Sequence, residues 1–329
     1  MKRIFLLGLL LACLCSLFAF TDVFEKKEPA IHEKVLICGV CRNIHSAAKN
    51  TIKNIEKLGQ QFEDYAVIIY ENNSDDNTVE IMQEWASRNS KVLFKSEYLA
   101  KQDLPVARTE KIARARNIVL ELASDAKYSG YKYLIMADLD FRREWPHDEI
   151  INSMRLPIEW DCISANGVDK HQNLYWDRYA LRFEKDPFGP ELFGEGWWLY
   201  KCPIFFDPTE EYLVANYSAF GGMAIYKTAT LLKFRYSGTV TKDLEDYYKK
   251  ITAELPQDHR DVQKYLKKMR VQKVEDLADL PLSFEHNAPL EHPDDYEPVT
   301  CCEHVPLHAT MALSGHGKFY INSKMIMQY

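Results

Sequence analysis

The chain has 329 residues, of which 47% are hydrophobic and 27% are charged, a composition typical of a globular protein. Its formal net charge of -7 argues against a general nucleic-acid-binding protein, because contact with phosphate backbones needs a basic surface. No repeat of about 20 to 50 residues is visible, which argues against a solenoid or a propeller.

The first 21 residues are predicted to lie outside the folded domain. Lys2 and Arg3 precede an uninterrupted apolar run from Ile4 to Phe20, a pattern typical of either a secretory signal peptide or a short membrane anchor. Basic residues on both sides of the run balance, so the positive-inside rule leaves its orientation open. The rest of the chain is expected to form one domain, since no linker rich in Gly, Ser or Pro divides it.

The folded part begins with a pattern of strand, helix and strand. The segment VLICGV at 35–40 is a predicted buried strand, a helix is predicted at about 47–58, and YAVIIYE at 65–71 is the next strand. A β-α-β unit of this kind predicts an α/β fold with a parallel sheet. The second strand runs into the polar turn ENNSDDNT, followed by a predicted helix at 79–90 and a strand at 92–97.

Cysteine spacing suggests two alternatives. Cys38 and Cys41 could belong to a redox or zinc site, but they lie in a predicted buried strand, where cysteine is usually a small core residue. A zinc site would need a second pair, and Cys301 and Cys302 lack the usual two-residue spacer. If the chain is exported, a disulfide to one of that adjacent pair is the alternative.

A cationic helix is predicted at 108–123. Arg108, Lys111 and Arg114 or Asn117 are expected near one face of it, where they would suit a nucleotide diphosphate. The competing interpretation is a solvated helix face.

The next predicted strand, YKYLIM at 131–136, leads into two carboxylates. Asp138 and Asp140 are two residues apart, so in an extended chain their side chains point the same way and reach one cation. Mg2+ and Mn2+ prefer such hard oxygen ligands and complete their coordination with phosphate and water. Three successive strand ends therefore carry polar clusters, and in an open α/β sheet these ends form the ligand crevice.

Several segments resemble those of the glycosyltransferases of the GT-A fold, which share a nucleotide-binding β-α-β half ending in an Asp-x-Asp metal motif. More narrowly, the chain resembles the fungal capsule-associated α-1,3-mannosyltransferase family. The matching segments occur in the right order between Val35 and Asn322: ENNSDDNT, KIARARNIVLE, YLIMADLD, WDCISANGVDKHQNLYWDRYALR, YSAFGGMAIYK and CCEHVPLHATMALSGHGKFYIN.

The resemblance implies a GT-A (Rossmann-like) α/β fold, with a mixed, mainly parallel sheet flanked by helices. The glycosyltransferase domain would cover 33–329, with a nucleotide-binding half at about 33–145 and an acceptor half at about 146–329. Two departures stand out. A charged stretch near 239–298, with apparent helices at 244–255 and 261–280, does not map onto the family, and Gly221-Gly222 replaces a bulkier aromatic-Asn pair.

The activity that this resemblance implies is metal-dependent transfer of a hexose from a nucleotide sugar to a hydroxyl acceptor. GDP-mannose is the first donor to test, and the acceptor would be a glycan, a lipid-linked sugar or a protein. Asp138 and Asp140 would hold Mn2+ or Mg2+, and by motif position His308 would be a third ligand, with His304, His316 and Glu303 as alternatives. The donor residues are expected to be Arg42, Glu71, Asn73, Asp76, Arg114, Arg116 and Asn117.

Residues on the acceptor side follow from the same segments. Glu303 or Asp177 could orient or deprotonate the acceptor hydroxyl, which requires hydrogen-bond reach. If the enzyme retains anomeric configuration, as the resemblance implies, no strong base is needed opposite the leaving group. A flat ring packs well on the apolar face of a hexose, and the candidate aromatics are Tyr175, Trp176, Trp197 and Trp198.

Two other functional classes stay open at this point. One is a metal-dependent nucleotidyl- or phosphotransferase, although a glycine-rich phosphate loop of the P-loop form is absent from the sequence. The other is a non-catalytic carbohydrate-binding protein of the same fold.

Location follows from where a nucleotide-sugar donor is found. We expect membrane association through the N-terminal segment, in the Golgi or endoplasmic reticulum lumen of a eukaryote or with a cytosolic catalytic face at a bacterial inner membrane. The sequons at Asn72 and Asn216 matter only in the lumen, and a glycan on Asn72 would obstruct the donor.

Overall fold

The computed structural model describes residues 30–169, 171, 174–194, 203–277 and 299–329. The predicted N-terminal segment 1–21, Trp197, Trp198 and the last part of the charged stretch, 278–298, lie outside these described residues. Among the helices within the described ranges, none combines the length and the apolar character needed to cross a membrane.

The described residues form one eight-stranded sheet in the order β3-β2-β1-β4-β7-β5-β8-β6. Four neighbouring pairs are parallel, namely β1 with β2, β1 with β4, β2 with β3, and β5 with β8. Strand β7 is antiparallel to its neighbours β4 and β5, and β6 is antiparallel to β8. This confirms the predicted mixed, mainly parallel α/β sheet. The strands are β1 Ile31–Cys41, β2 Phe62–Asn72, β3 Val92–Glu97, β4 Tyr133–Asp138, β5 Cys162–Val168, β6 Leu213–Asn216, β7 Met223–Lys227 and β8 Phe319–Gln328.

Helices cover both faces of the sheet because the central strands alternate apolar side chains to the two sides. In β1, Val35 and Ile37 pack in one core and Leu36 and Cys38 in the other. The helices of the described residues are α1 His45–Gly59, α2 Thr78–Arg88, α3 Arg108–Ala123, α4 His147–Met154, α5 Pro190–Phe193, α6 Thr228–Leu231, α7 Lys242–Glu254, α8 Arg260–Met269 and α9 His304–Leu313.

Different helices pack on the two faces of the sheet. Helices α1, α2 and α4 supply side chains to the core that contains Val35 and Ile37. Helices α3, α7, α8 and α9 supply the opposite core. The charged stretch near 239–298 therefore contributes two helices, α7 and α8, to the core that contains Leu36 and Cys38.

The predicted helix at 261–280 is wrong in length. Helix α8 ends at Met269, because Arg270 adopts the left-handed conformation with φ 58°. The Val271 amide then bonds the Leu266 carbonyl at 3.1 Å, and a separate 3-10 turn covers Val274–Leu277. This is the pattern of a left-handed helix cap, which a residue other than glycine rarely signals in a sequence.

The five cysteines among the described residues are buried and free. Burial raises the pKa of the Cys38 and Cys41 thiols well above its ordinary value, which keeps them protonated. The prediction that they are core residues is confirmed. Cys301 and Cys302 are likewise buried, without a disulfide to any cysteine in the described ranges.

The sequon at Asn216 lies inside the fold. Its side chain is buried and its Nδ2 donates to the Val214 carbonyl at 3.3 Å. The folded chain therefore has no room for a glycan at this position.

A buried ion pair between Arg182 and Glu191 of α5 is tied to helix α7 through the Tyr248 hydroxyl. Arg182 Nη2 donates to both oxygens of Glu191 at 2.8 Å, and the two side chains are 1% and 0% exposed. The Tyr248 hydroxyl of α7 accepts from Arg182 Nε at 2.9 Å and donates to Glu191. Each charge is thus compensated inside the core, which is the condition for burying it.

We predict that Glu191→Ala lowers the free energy of unfolding by about 3 to 5 kcal/mol, because it leaves the Arg182 charge buried without its partner. Denaturant unfolding of the purified chain measures the change. The matched control is Glu144→Ala, which removes an exposed carboxylate paired with Lys57 and should leave the unfolding midpoint in place. Equal midpoints for both variants would contradict the prediction.

Candidate active site

A cleft of about 740 Å³ opens at the carboxyl ends of β1 and β4, where the parallel strands meet the start of α3. Asp138 and Asp140 line it together with cationic side chains of α3. Residues 176–179 and 302–304 also line it. The cleft therefore lies where an open α/β sheet places its ligands.

Asp138 and Asp140 both line the cleft, which is the placement that strand alternation predicts. Leu139 between them is 2% exposed and packs in the core below. Gly39 of β1 makes room for it, since a Cβ there would lie 2.7 Å from Leu139 Cγ. The core contact of Leu139 thus holds the two carboxylates toward the cleft.

Arg116 of α3 is the charge at the centre of the site. Its side chain is 4% exposed, and Nη2 lies 3.0 Å from Asp138 Oδ1 and 3.4 Å from Glu303 Oε1. Its Nη1 contacts His304 Nε2, and the guanidinium lies 4.4 Å from the centre of the Phe220 ring. One buried cation therefore links α3, the end of β4 and the residues that begin α9.

The protonation of this cluster follows from burial and from its charges. Burial alone would lower the pKa of Arg116, but the charges of Glu303 and Asp138 outweigh it and raise that pKa above its ordinary value. Burial, only partly offset by Arg116, raises the pKa of Asp138 to about 7. Burial and the Arg116 charge keep the pKa of His304 well below its usual range, so its ring is neutral.

His304 stacks on Phe220, with ring centroids 3.9 Å apart and planes 20° from parallel. Because a guanidinium only donates hydrogen bonds, we assign Nε2 as the acceptor and place the ring proton on Nδ1. Nδ1 is buried and has no hydrogen-bond partner among the described residues. His304 therefore orients Arg116 and is the histidine that reaches the cleft.

Asp177 stands in the cleft with a fixed carboxylate. Its Oδ2 accepts from the Gly221 amide at 2.9 Å, an amide held by a left-handed φ of 63°. A Cβ at Gly221 would lie 2.1 Å from the Ala165 carbonyl oxygen, so only glycine fits this turn. Burial raises the pKa of Asp177 to about 6.

Three cations that line the cleft have their charge available for a ligand. Arg42, Arg108 and Lys111 line the cleft, and within the described part of the chain none of them forms an ion pair with a carboxylate. Arg42 Nε donates to the Asn73 carbonyl at 3.1 Å, which holds its side chain over the mouth. This set suits an anionic ligand.

Two predicted donor residues of α3 point away from the cleft, so their predicted contact with the nucleotide is wrong. Arg114 donates to the Tyr70 hydroxyl at 3.0 Å and lies 3.8 Å from Glu97. Asn117 bonds both backbone groups of Tyr236 at 2.8 and 2.9 Å. Both lie on the far side of a helix whose cleft-facing positions begin at Arg108.

The polar turn at the end of β2 stabilises neighbouring loops. Of its residues, Asn72 lines the cleft and the others do not. Glu71 is 1% exposed and accepts from the Ser74 amide at 2.6 Å and the Ser96 hydroxyl at 2.5 Å. Asn73 donates to the Leu99 carbonyl at 2.8 Å, and Asp76 accepts from the His45 amide at 3.1 Å. The prediction that these three side chains contact the donor directly is corrected: their bonds are internal to the fold.

His308 lies in the core, so its prediction as a metal ligand is also corrected. Its Nδ1 bonds the Ser218 hydroxyl at 2.9 Å and its Nε2 bonds the Tyr226 hydroxyl at 3.0 Å, which leaves neither nitrogen for a metal. Its side chain is 0% exposed. His316 bonds Asp161 at 3.3 Å and does not line the cleft.

The aromatic candidates divide by exposure. Trp176 is 61% exposed and lines the cleft, whereas Tyr175 is 2% exposed and packs against Phe206. Phe220 and Tyr329 also line the cleft, and sequence reasoning missed both. Tyr329 directly follows β8, so the strand-end rule applied to the last strand would have found it.

Comparisons with known proteins add similarity at the level of the fold. No protein-family model matches the chain, and no curated protein matches it either. Similar solved structures include the mannosyltransferase PcManGT from Pyrobaculum calidifontis in complex with GDP-Man and Mn2+, with 16% identity and a TM-score of 0.39 over 74% of this chain and 66% of that one. S. aureus TarS in complex with UDP-GlcNAc has 14% identity and a TM-score of 0.37, with 62% of this chain and 48% of that one covered.

GalNAc-T7 with UDP, GalNAc and Mn2+ is a third, at 10% identity and a TM-score of 0.41 over 91% of this chain and 44% of that one. The chain thus spans about two thirds of the first protein and less than half of the other two. These values are too low for an activity to be carried over, so the geometry of the cleft is what supports a function.

Proposed function

We propose that this chain is a metal-dependent glycosyltransferase that moves a hexose from a nucleotide sugar to a hydroxyl acceptor. One observation carries the proposal: Asp138 at the end of β4 and Asp140 just after it line one cleft together with cations of α3, at the carboxyl ends of parallel strands. Leaving diphosphates need positive charge on several sides at once. The resemblance of the sequence to the capsule-associated mannosyltransferases makes GDP-mannose the first donor to test.

Arg108, Lys111 and Arg42 are the residues that we expect to bind the diphosphate. Arg108 and Lys111 are three residues apart on α3, so both side chains reach the same side of the cleft. Their charges are not consumed by carboxylates of the described chain. Binding there would place the leaving group against fixed cations, which stabilise the negative charge that grows as the glycosidic bond breaks.

The residues present fit a hard divalent cation. The described residues contain no group of three His, Cys, Asp or Glu that could hold a metal by themselves. Asp140 and the second oxygen of Asp138 would be the protein ligands, and a diphosphate and water would supply the rest, as is common for Mg2+ and Mn2+. Such an ion acts as a Lewis acid on the departing diphosphate. Arg116 and Leu139 fix the carboxylates that would hold it.

Asp177 is the better of the two predicted acceptor residues. Glu303 is already engaged by Arg116, whereas the Asp177 carboxylate is held by the Gly221 amide and lines the cleft. A carboxylate held in this way can accept the hydrogen of an acceptor hydroxyl, whether it orients or deprotonates it. Trp176, the neighbouring residue, offers an exposed ring for a sugar face.

The proposal predicts turnover of a nucleotide sugar with Mn2+, tested by release of nucleoside diphosphate across a donor panel. Asp140→Asn should abolish release and remove the joint thermal stabilisation by Mn2+ and GDP, because it deletes a metal ligand that has no apolar partner to lose. Asp246→Asn, an exposed carboxylate of α7, is the control. Full activity of Asp140→Asn would contradict the metal assignment. Release of a sugar 1-phosphate would favour a nucleotidyltransferase, which transfers the nucleoside monophosphate and leaves the sugar phosphate behind.

The cation assignment predicts a difference between neighbours on one helix. Arg108→Gln and Lys111→Gln should each weaken GDP binding about ten-fold, the cost of one charge-assisted hydrogen bond to phosphate. Arg114→Gln is the matched control, because this side chain points to Tyr70 and Glu97. Titration calorimetry with Mn2+ present measures all three. Equal affinities in the three variants would remove α3 from the phosphate site.

The pKa of Asp177 predicts that the rate of transfer depends on pH. A carboxyl group with a pKa of about 6 is ionised above that pH and protonated below it. Because the ionised form is the stronger hydrogen-bond acceptor and the only one that can take a proton from the acceptor hydroxyl, transfer should fall as pH drops through about 6. Single-turnover rates at saturating Mn2+, with donor binding measured at each pH, separate this effect from metal loss. A flat profile with unchanged donor binding would contradict the role of Asp177.

A further inference from the structure

A second cleft, of about 540 Å³, continues from the first. Both are lined by Asp140, Trp176 and Tyr329, so these residues mark the place where the two clefts meet. The far part of the second cleft is lined by Phe141, Arg142, Arg143, Asp169, His171 and Gln328. A donor in the first cleft and a second molecule in this one would therefore meet beside Asp140.

The loop that supplies the two arginines is fixed to α1. Thr51 Oγ1 donates to the Leu139 carbonyl at 2.7 Å. Asn50 and Asn54 donate to the Arg143 carbonyl at 2.7 and 3.0 Å, and Asn54 also accepts from the Trp145 amide at 3.1 Å. The backbone under Arg142 and Arg143 is thus held in one position before any ligand arrives, which lowers the entropic cost of binding.

The charges in this cleft leave the two guanidinium groups available. Arg142 Nη2 donates to the Ser46 hydroxyl at 3.0 Å, and among the described residues neither Arg142 nor Arg143 pairs with a carboxylate. Two acidic residues share the cleft. Asp140 belongs to the proposed metal site, and Asp169 accepts from the His171 amide at 2.7 Å within its own loop. The guanidinium groups of Arg142 and Arg143, which stand on a fixed stretch of backbone, therefore line a cleft that also presents the exposed Trp176 ring.

We propose that the second cleft binds the acceptor and selects a sugar that carries an anionic group, either a carboxylate or a phosphate. The apolar face of the sugar would pack on Trp176, its anionic group would pair with Arg142 and Arg143, and its hydroxyl would reach the junction near Asp140. This inference rests on the proposed function and adds the acceptor class to it. Guanidinium groups bind both kinds of anion through paired N–H donors, so the experiment has to separate them.

The test measures binding of three single sugars to the full chain: glucose, glucuronic acid and glucose 6-phosphate. Mg2+, which is diamagnetic, and GDP are kept at saturation, so that the cations of the first cleft are occupied. Ligand-observed NMR titration gives the three dissociation constants. We expect at least one anionic sugar to bind about ten-fold more tightly than glucose, and the better of the two identifies carboxylate or phosphate as the recognised group.

A pair of double variants assigns the effect to the second cleft. Arg142→Gln with Arg143→Gln should remove the preference, whereas Arg88→Gln with Arg155→Gln makes the same change in net charge on exposed residues that line neither cleft. Equal binding of all three sugars, or a preference that survives the first double variant, would overturn the inference. Because this readout is binding, it is independent of turnover, and failure to release nucleoside diphosphate would count against the proposed function alone.

Discussion

The buried guanidinium of Arg116 is the interaction on which the site depends. It lies 3.0 Å from Asp138 and 3.4 Å from Glu303, two acidic residues from distant parts of the chain, and partly compensates their charge. Without that charge, the end of β4 and the start of α9 would bring like charges together in a region of low dielectric, which is costly. The ion cluster therefore links the carboxyl end of β4 to the start of α9 and at the same time fixes acidic side chains that line the cleft.

The surroundings of Arg116 show that its charge is used for structure. Phe220 and His304 stack on each other beside the guanidinium, and His304 is held neutral, so the cluster holds one cation against two anions. Four acidic residues line the cleft beside this one buried cation, which leaves an excess of acidic groups there: Asp138, Asp140, Asp177 and Glu303. In the proposed enzyme that excess would be balanced by a bound divalent ion, and the cations left free on α3 would balance the diphosphate.

The cationic residues of α3 have different roles. Arg108 and Lys111 face the cleft, Arg116 is buried beneath it, and Arg114 pairs on the outer side. A similar division separates the two clefts, since the loop after β4 carries the metal-binding candidates at its start and the arginines of the second cleft two residues later. The metal and acceptor sites would thus share one short stretch of backbone that α1 holds in place, and α3 and Arg42 would supply the donor site.

The sequence by itself determined the first four strands of the sheet and the position of the crevice. Apolar runs of strand length, separated by a helical pattern, specified β1 to β4 and α1 to α3, because local periodicity is what these elements are built on. The pair Asp138 and Asp140 could also be read locally, since alternation along a strand needs no tertiary information.

Only the tertiary structure decided which polar residues face the cleft. Arg114 lies six residues after Arg108, a rotation of about 240° on a helix, so they belong to different sides, yet only the position of α3 on the sheet tells which side is the cleft. Glu71 and His308 were read as ligands from their motifs, but contacts with Ser96 and with Tyr226, both distant in sequence, engage them inside the fold. Motif spacing fixes which side chains are near one another along the chain, whereas hydrogen bonds between remote segments decide which of them remain free to act.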